Sequence, residues 1–120
     1  MALFSLEGER QNAIGRKDYW RRFEGFYGTQ LHRLFVDEII AIIEKHTSGG
    51  VIDSRQYAKT VLTKLERSSP ELMNEWDSEE LAGLFGMTMW NVIANYPESW
   101  HFYRTIGKDG ELRGTQYWRG

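Results

Sequence analysis

Cysteine is absent from this chain of 120 residues, which excludes disulfide staples and thiolate-held zinc and leaves stability to a packed interior. Long apolar runs are missing as well. The greasiest stretch, Ile39-Ile40-Ala41-Ile42-Ile43, is far shorter than a membrane span. The opening stretch, MALFSLEGERQ, lacks the basic run, apolar segment and small-residue cleavage site of a secretory leader. These absences predict a cytoplasmic protein with no membrane partner. A positive excess is lacking too: the formal net charge is −2, whereas a protein that binds nucleic acid through phosphate neutralisation usually carries a clear surplus of bases. No segment repeats another and none is of low complexity, so solenoids and linker arrays are set aside.

The marks of catalysis are equally sparse. His32, His46 and His101 have no partner at metal-ligand spacing, and no glycine loop of the phosphate-cradling kind occurs. Asp37 and Glu38 are adjacent, so on a helix they point about 100° apart and read as solvated rather than as a working pair. Gly107, Gly110 and Gly114 fit a hairpin, because no helix follows them. The expectation is a non-enzyme with no metal and no cofactor.

What is present has the profile of a globular protein. Hydrophobic residues make up 41% and charged residues 27%, enough for one domain over residues 1–120 to bury a core. Charge is unevenly spread: residues 1–50 balance to zero, 51–99 carry −4 and 100–120 carry +2, so the C-terminal tail is the basic end. Three regions follow from the patterning: an arm at 1–15, N-terminal helices at 16–50, and a third unit at 51–120.

The arm shows no sustained periodicity and contains Gly8 and Gly15. From Arg16 to Glu24, bases alternate with aromatics at helical spacing. Trp20 and Phe23 share a face with Tyr27, while Lys17, Arg21 and Arg22 point elsewhere. Gly25 and Gly28 predict a break, and Thr29 a restart as an N-cap. Between Gln30 and His46, Leu31, Leu34, Phe35, Ile39, Ile42 and Ile43 follow the three-and-four spacing of an amphipathic helix, which Ser48-Gly49-Gly50 stops. Val36 and Ile40 widen the stripe, so this helix is either central to the core or pressed against a second copy in a homodimer.

In the third region, Asp53 and Gln56 form a capping box for a helix to about Arg67, with Tyr57, Val61, Leu62 and Leu65 inward. Ser69 caps a turn that Pro70 opens, and a short helix ends near Trp76. Asp77 and Glu80 form another capping box, before SEELAGLFG. A tight helix-turn-helix needs a small residue where its helices cross and a glycine where the chain turns, and Ala82 and Gly86 fit these roles. Leu81 and Phe85 flank Ala82, Met87 plugs the turn, Thr88 caps the second helix, and Val92 turns inward.

Taken together, LAxLFGMTxxxV resembles the helix-turn-helix signature of bacterial, archaeal and phage regulators over about twenty residues, departing from it at Asn95, where an aliphatic residue is common. After it, WHFYRTI-GKDG-ELRGTQYW places two aromatic and branched runs around Asp109-Gly110, a pair suited to a tight hairpin. Helices at 54–67, 79–86 and 88–96 followed by a hairpin resemble the winged helix-turn-helix family over the C-terminal half of the chain. The resemblance implies a mainly α fold with a C-terminal β-hairpin, a winged helix-turn-helix with an N-terminal helical extension that pairs subunits.

That resemblance implies a regulator that binds double-stranded DNA sequence-specifically. Met89, Trp90, Asn91 and Asn95 would face the major groove, with the two asparagines able to pair with adenine edges, and Thr88 would donate to a phosphate at the helix start. Arg104, Lys108, Arg113 and Arg119 on the hairpin would hold phosphates, joined by Lys17, Arg21 and Arg22. Against this, no Lys or Arg lies between Thr88 and Tyr96, and Asp77, Glu79 and Glu80 would repel the backbone. The alternative is a winged-helix adaptor or inhibitor that docks on a partner protein through Met89, Trp90 and the hairpin. The aromatics Trp100, Phe102, Tyr103, Tyr117 and Trp118 also suggest stacking on single-stranded nucleic acid. Strand alternation instead predicts that about half of them are core, Phe102 and Trp118 among them.

Overall fold

The computed structural model describes residues 23–46, 50–106 and 112–119. Residues 23–26 form a helical turn, and two residues on Gly28 takes φ +85°, a left-handed conformation that a side chain would strain. Thr29 then caps helix α1 (Gln30–Lys45). Its hydroxyl oxygen accepts from the His32 amide at 3.2 Å and donates to the Phe26 carbonyl at 2.8 Å, as its place before the apolar stripe predicts. Leu31, Phe35, Ile39, Ile42 and Ile43 are buried, and Leu34, Val36 and Ile40 pack half-buried against the same core. The wide apolar stripe is thus used, at least in part, within the monomer.

Strand β1 (Ile52–Asp53) leads directly into helix α2 (Ser54–Ser68). The Asp53 carboxylate caps that helix by accepting from the Arg55 and Gln56 amides at 2.9 and 3.3 Å. Ala58, Val61 and Leu65 are its buried stripe. Pro70 opens helix α3 (Pro70–Met73), shorter than the pattern through Trp76 suggests. Ser69 makes no side-chain cap there; its amide instead donates to the Leu65 carbonyl at 2.7 Å and closes α2.

The principal correction concerns helix α4, which runs unbroken from Ser78 to Ala94. Asp77 caps it, accepting from the Glu79 amide at 3.1 Å, but no turn follows at Gly86. A glycine inside a helix costs only about 1 kcal/mol relative to alanine. Burial of Leu84, Phe85, Met87, Met89, Val92 and Ile93 on either side outweighs that cost, because every one of them would have to be re-housed if the chain turned. Thr88 is not a cap: its hydroxyl donates to the Leu84 carbonyl at 2.7 Å, one turn back in the same helix. Ala82 is exposed rather than set at a helix crossing, and open space surrounds the position a Gly86 side chain would fill.

The expected hairpin is present as β2 (Trp100–Ile106) and β3 (Leu112–Arg119), with its tip outside the described residues. β1 adds an unforeseen third strand, giving an antiparallel sheet in the order β1-β3-β2. Ile52 lies opposite Tyr117, and Tyr117 opposite Phe102. The Ser54 hydroxyl, buried at the start of α2, accepts from the Thr115 amide at 2.9 Å and fastens helix to sheet. α4 packs between α1 and α2, while α2 also lies on β3. Among the described residues, no helix is long and apolar enough to cross a membrane.

Candidate functional site

Because α4 is continuous, the residues expected to read DNA do not form one exposed surface. Thr88, Met89 and Asn91 are buried, Met89 at 0% exposure, so they cannot reach a groove. Asn95 sits at the C-terminal cap of α4, and its side-chain amide donates back to the Asn91 carbonyl at 2.8 Å. Trp90 is half-buried, with the Phe102 ring edge-on at 4.6 Å and the Arg104 guanidinium 3.9 Å from its ring centre. Arg119 pairs with Glu98, donates to the Ile43 carbonyl at 3.2 Å, and lies 5.0 Å from the Trp100 ring centre. Lys17, Arg21, Arg22 and Lys108 lie outside the described residues, as does the side chain of Arg113.

What the fold assembles instead is an aromatic and arginine cluster between the C-terminal half of α4 and the inner face of the β-ribbon. Strand alternation places Trp100, Phe102 and Arg104 on one side of β2, and the register sets Tyr117 beside Phe102. These side chains meet Trp90, Ile93 and Ala94 from α4, and Glu98 from the connection between helix and strand. Together Trp90, Ile93, Ala94, Glu98, Trp100, Phe102 and Tyr117 line a cleft of about 160 Å³. Both arginines flank it through their contacts with Trp90 and Trp100. The indole N–H groups of Trp90 and Trp100 and the Nε–H groups of Arg104 and Arg119 are out of contact with solvent and have no hydrogen-bond partner. A buried donor without an acceptor costs about 1–3 kcal/mol, so four in one place is a concentrated demand for acceptors.

Comparison with protein-family models, curated proteins and solved structures finds no match. The site therefore has to be read from its own chemistry. Among the described residues, no three His, Asp or Glu side chains converge in a way that could hold a metal ion.

The opposite face of the ribbon is a second feature. His101 lies opposite Trp118 with their rings stacked at 5.8 Å, and Tyr103 lies opposite Gln116. Tyr103 is 63% exposed, and Phe102 on the inner face is still 53% exposed, against the expectation that Phe102 is core. The inner face reaches beyond the helix that should cover it. Trp118 is half-buried, and among the described ribbon residues Tyr117 and Thr115 are buried.

The exposed bases Arg55 and Lys59 lie one turn apart near the start of α2, and helical spacing alone does not show which strand will pack beside them. Arg55 lies against the backbone of β3, its Cβ 3.4 Å from where a side chain at Gly114 would begin. The only sequence signal for this neighbourhood was Gly114 itself, since a glycine inside a strand often marks a close approach.

Proposed function

We propose that this chain is a winged-helix module that docks on a partner protein through the outer face and free edge of its β-ribbon. The order helix, strand, helix, helix, helix, strand, strand, in which the one-turn α3 interrupts the α2–α4 connection, and the sheet order β1-β3-β2 support a winged-helix arrangement. In it, α2 and α4 are the helix pair, and the second helix begins at Ser78 rather than Thr88. The stretch Ser78–Ala94 contains no Lys or Arg, and its start is flanked by Asp77, Glu79 and Glu80. Such a helix opposes phosphate rather than neutralising it.

The observation that carries the protein-docking reading is the 63% exposure of Tyr103 in the middle of β2. β2 is the outermost strand, and among the described residues its second edge is paired with nothing. Unpaired edge amides and carbonyls accept an extended partner segment by strand addition, and an exposed tyrosine beside them supplies the kind of anchor found in binding hot spots. The +2 charge of residues 100–120 favours an acidic segment as occupant.

The test is selection of displayed peptides on the wild-type protein, followed by affinity measurement on Tyr103→Ala. Winners rich in Asp and Glu that lose about tenfold in affinity on that variant support the reading. Winners indifferent to Tyr103 overturn it. A second reading, binding of double-stranded DNA, draws on exposed Arg55, which lies against β3 at Gly114, and exposed Lys59 one turn further along α2. It predicts a shift of random duplex at low salt, at roughly micromolar protein, abolished in the Arg55→Gln/Lys59→Gln double variant.

A further inference from the structure

A strand that adds to the free edge of β2 presents its side chains alternately to the two faces of the sheet. Half of them arrive beside Phe102 and Arg104, on the face opposite Tyr103. The chemistry of that face names the segment the edge admits, an inference that rests on the docking reading above.

Beside Phe102 lies the cleft, which suits an apolar side chain. Ile93 and Tyr117 are its buried floor, Trp90 and Trp100 its half-buried walls, and Ala94, Glu98 and Phe102 its exposed rim. On the other side the ribbon is shut, because β1 pairs with β3 and α2 packs on β3. The mouth therefore lies toward β2 and its unpaired edge. At about 160 Å³ the space is close to the roughly 150 Å³ of an engineered apolar cavity that holds one benzene molecule, the scale of a single Leu, Ile, Met or Phe side chain. The one charged residue of the lining, Glu98, is a carboxylate, so the cleft itself does not invite an acid.

Arg104, the next residue of β2 on the same face, has the opposite character. Its guanidinium lies 3.9 Å from the Trp90 ring centre and 5.6 Å from that of Phe102, and no carboxylate among the described residues pairs with it. Within that guanidinium only the Nε–H is enclosed without a partner, which leaves the terminal amino groups to a carboxylate arriving along the edge. In a strand added antiparallel to β2, the residue opposite Phe102 follows the residue opposite Arg104 by two.

We propose that the free edge of β2 recognises an extended acidic segment of a partner protein that carries Asp or Glu opposite Arg104 and, two residues later, a bulky apolar residue that covers Phe102 and enters the cleft. Backbone hydrogen bonds along the edge are common to any extended segment. The Arg104 charge and the cleft supply the choice among segments.

The experiment sorts a displayed library of random peptides, each a few residues longer than the seven of β2, on the full chain and on Tyr103→Ala, Arg104→Gln, Arg104→Lys and Ala94→Trp. Wild-type winners should carry an acid and, two positions on, Leu, Ile, Met or Phe. The acid preference should vanish on Arg104→Gln and persist on Arg104→Lys. The apolar preference should vanish on Ala94→Trp, which fills the rim of the cleft from the exposed end of α4. A winner synthesised on its own then supplies two double-mutant cycles. Changing its acid to the amide should weaken it about fivefold on wild type and not at all on Arg104→Gln. Truncating its apolar residue to alanine should weaken it about tenfold on wild type and less than about twofold on Ala94→Trp. Thermal melts establish which variants fold, and Ala94→Trp, at an exposed position, carries the test should Arg104→Gln unfold. Winners that depend on Tyr103 but lack this spacing overturn the proposal and leave the docking reading standing, as does equal weakening on wild type and on the folded variants. No winners, or winners indifferent to Tyr103, overturn both.

Discussion

Buried beside Phe23, Phe26 and Tyr27, the ring of His32 accepts a hydrogen bond through Nδ1 from the Gly28 amide at 3.0 Å, an arrangement that requires Nδ1 to be unprotonated. Burial, with a smaller contribution from the Arg33 charge, lowers its pKa from 6.5 to about 4. A depressed histidine contributes stability fully above its unfolded value. As pH falls from about 6.5 to about 4, the unfolded chain takes up a proton that the folded chain refuses, and on the order of 3 kcal/mol is lost. Urea midpoints measured across that window should fall with acid in the wild type and flatten in His32→Gln; a midpoint with equal acid dependence in both would refute the assignment. Gly86 offers a second residue-scale prediction. It lies inside α4 without a positive φ and has nothing within 4 Å of where a Cβ would stand. Gly86→Ala should therefore raise stability by about 0.5–1 kcal/mol, measured by denaturant unfolding, whereas a glycine in a tight interhelical turn would make the same change destabilising.

At the scale of elements, helix starts were legible because a cap is a local event. Thr29, Asp53 and Asp77 each accept hydrogen bonds from amides two or three residues ahead, which the sequence displays directly. The fate of Gly86 was not local. Gly-Met-Thr reads equally as a turn with a cap or as mid-helix, and only the burial of Phe85, Met87 and Met89 around the circumference of α4 decides between them. β1 escaped notice because a two-residue strand has no period, its pairing with Tyr117 and Gln116 being set some sixty residues away along the chain. The Ser54 hydroxyl secures that same junction. Ser54→Ala should strand the buried Thr115 amide and cost about 1–3 kcal/mol, with the loss of hydrogen-exchange protection concentrated in β1 and β3. Protection lost equally everywhere, with no preference for those strands, would argue against this fastening.

For the whole molecule, apolar patterning separated α1, α2 and the ribbon, but it could not say which ring would be covered by which helix. Tyr117 and Phe102 face one another across the ribbon, yet Tyr117 is 1% exposed and Phe102 53%, because the underlying elements cover one and end short of the other. The bases show the same division. Arg104 and Arg119 look in sequence like phosphate contacts, but the fold employs both against tryptophans beside α4 and leaves Arg55 and Lys59 as the exposed pair near β3. By itself, the sequence determined the mainly helical character, the helix starts and the hairpin, since these depend on neighbours within a few residues. The tertiary structure decided that α4 continues through Gly86, that Thr88, Met89 and Asn91 are interior, and that an aromatic cleft forms under the ribbon. Each of those outcomes depends on which distant surfaces exclude water together, and that cannot be read from spacing along a single chain.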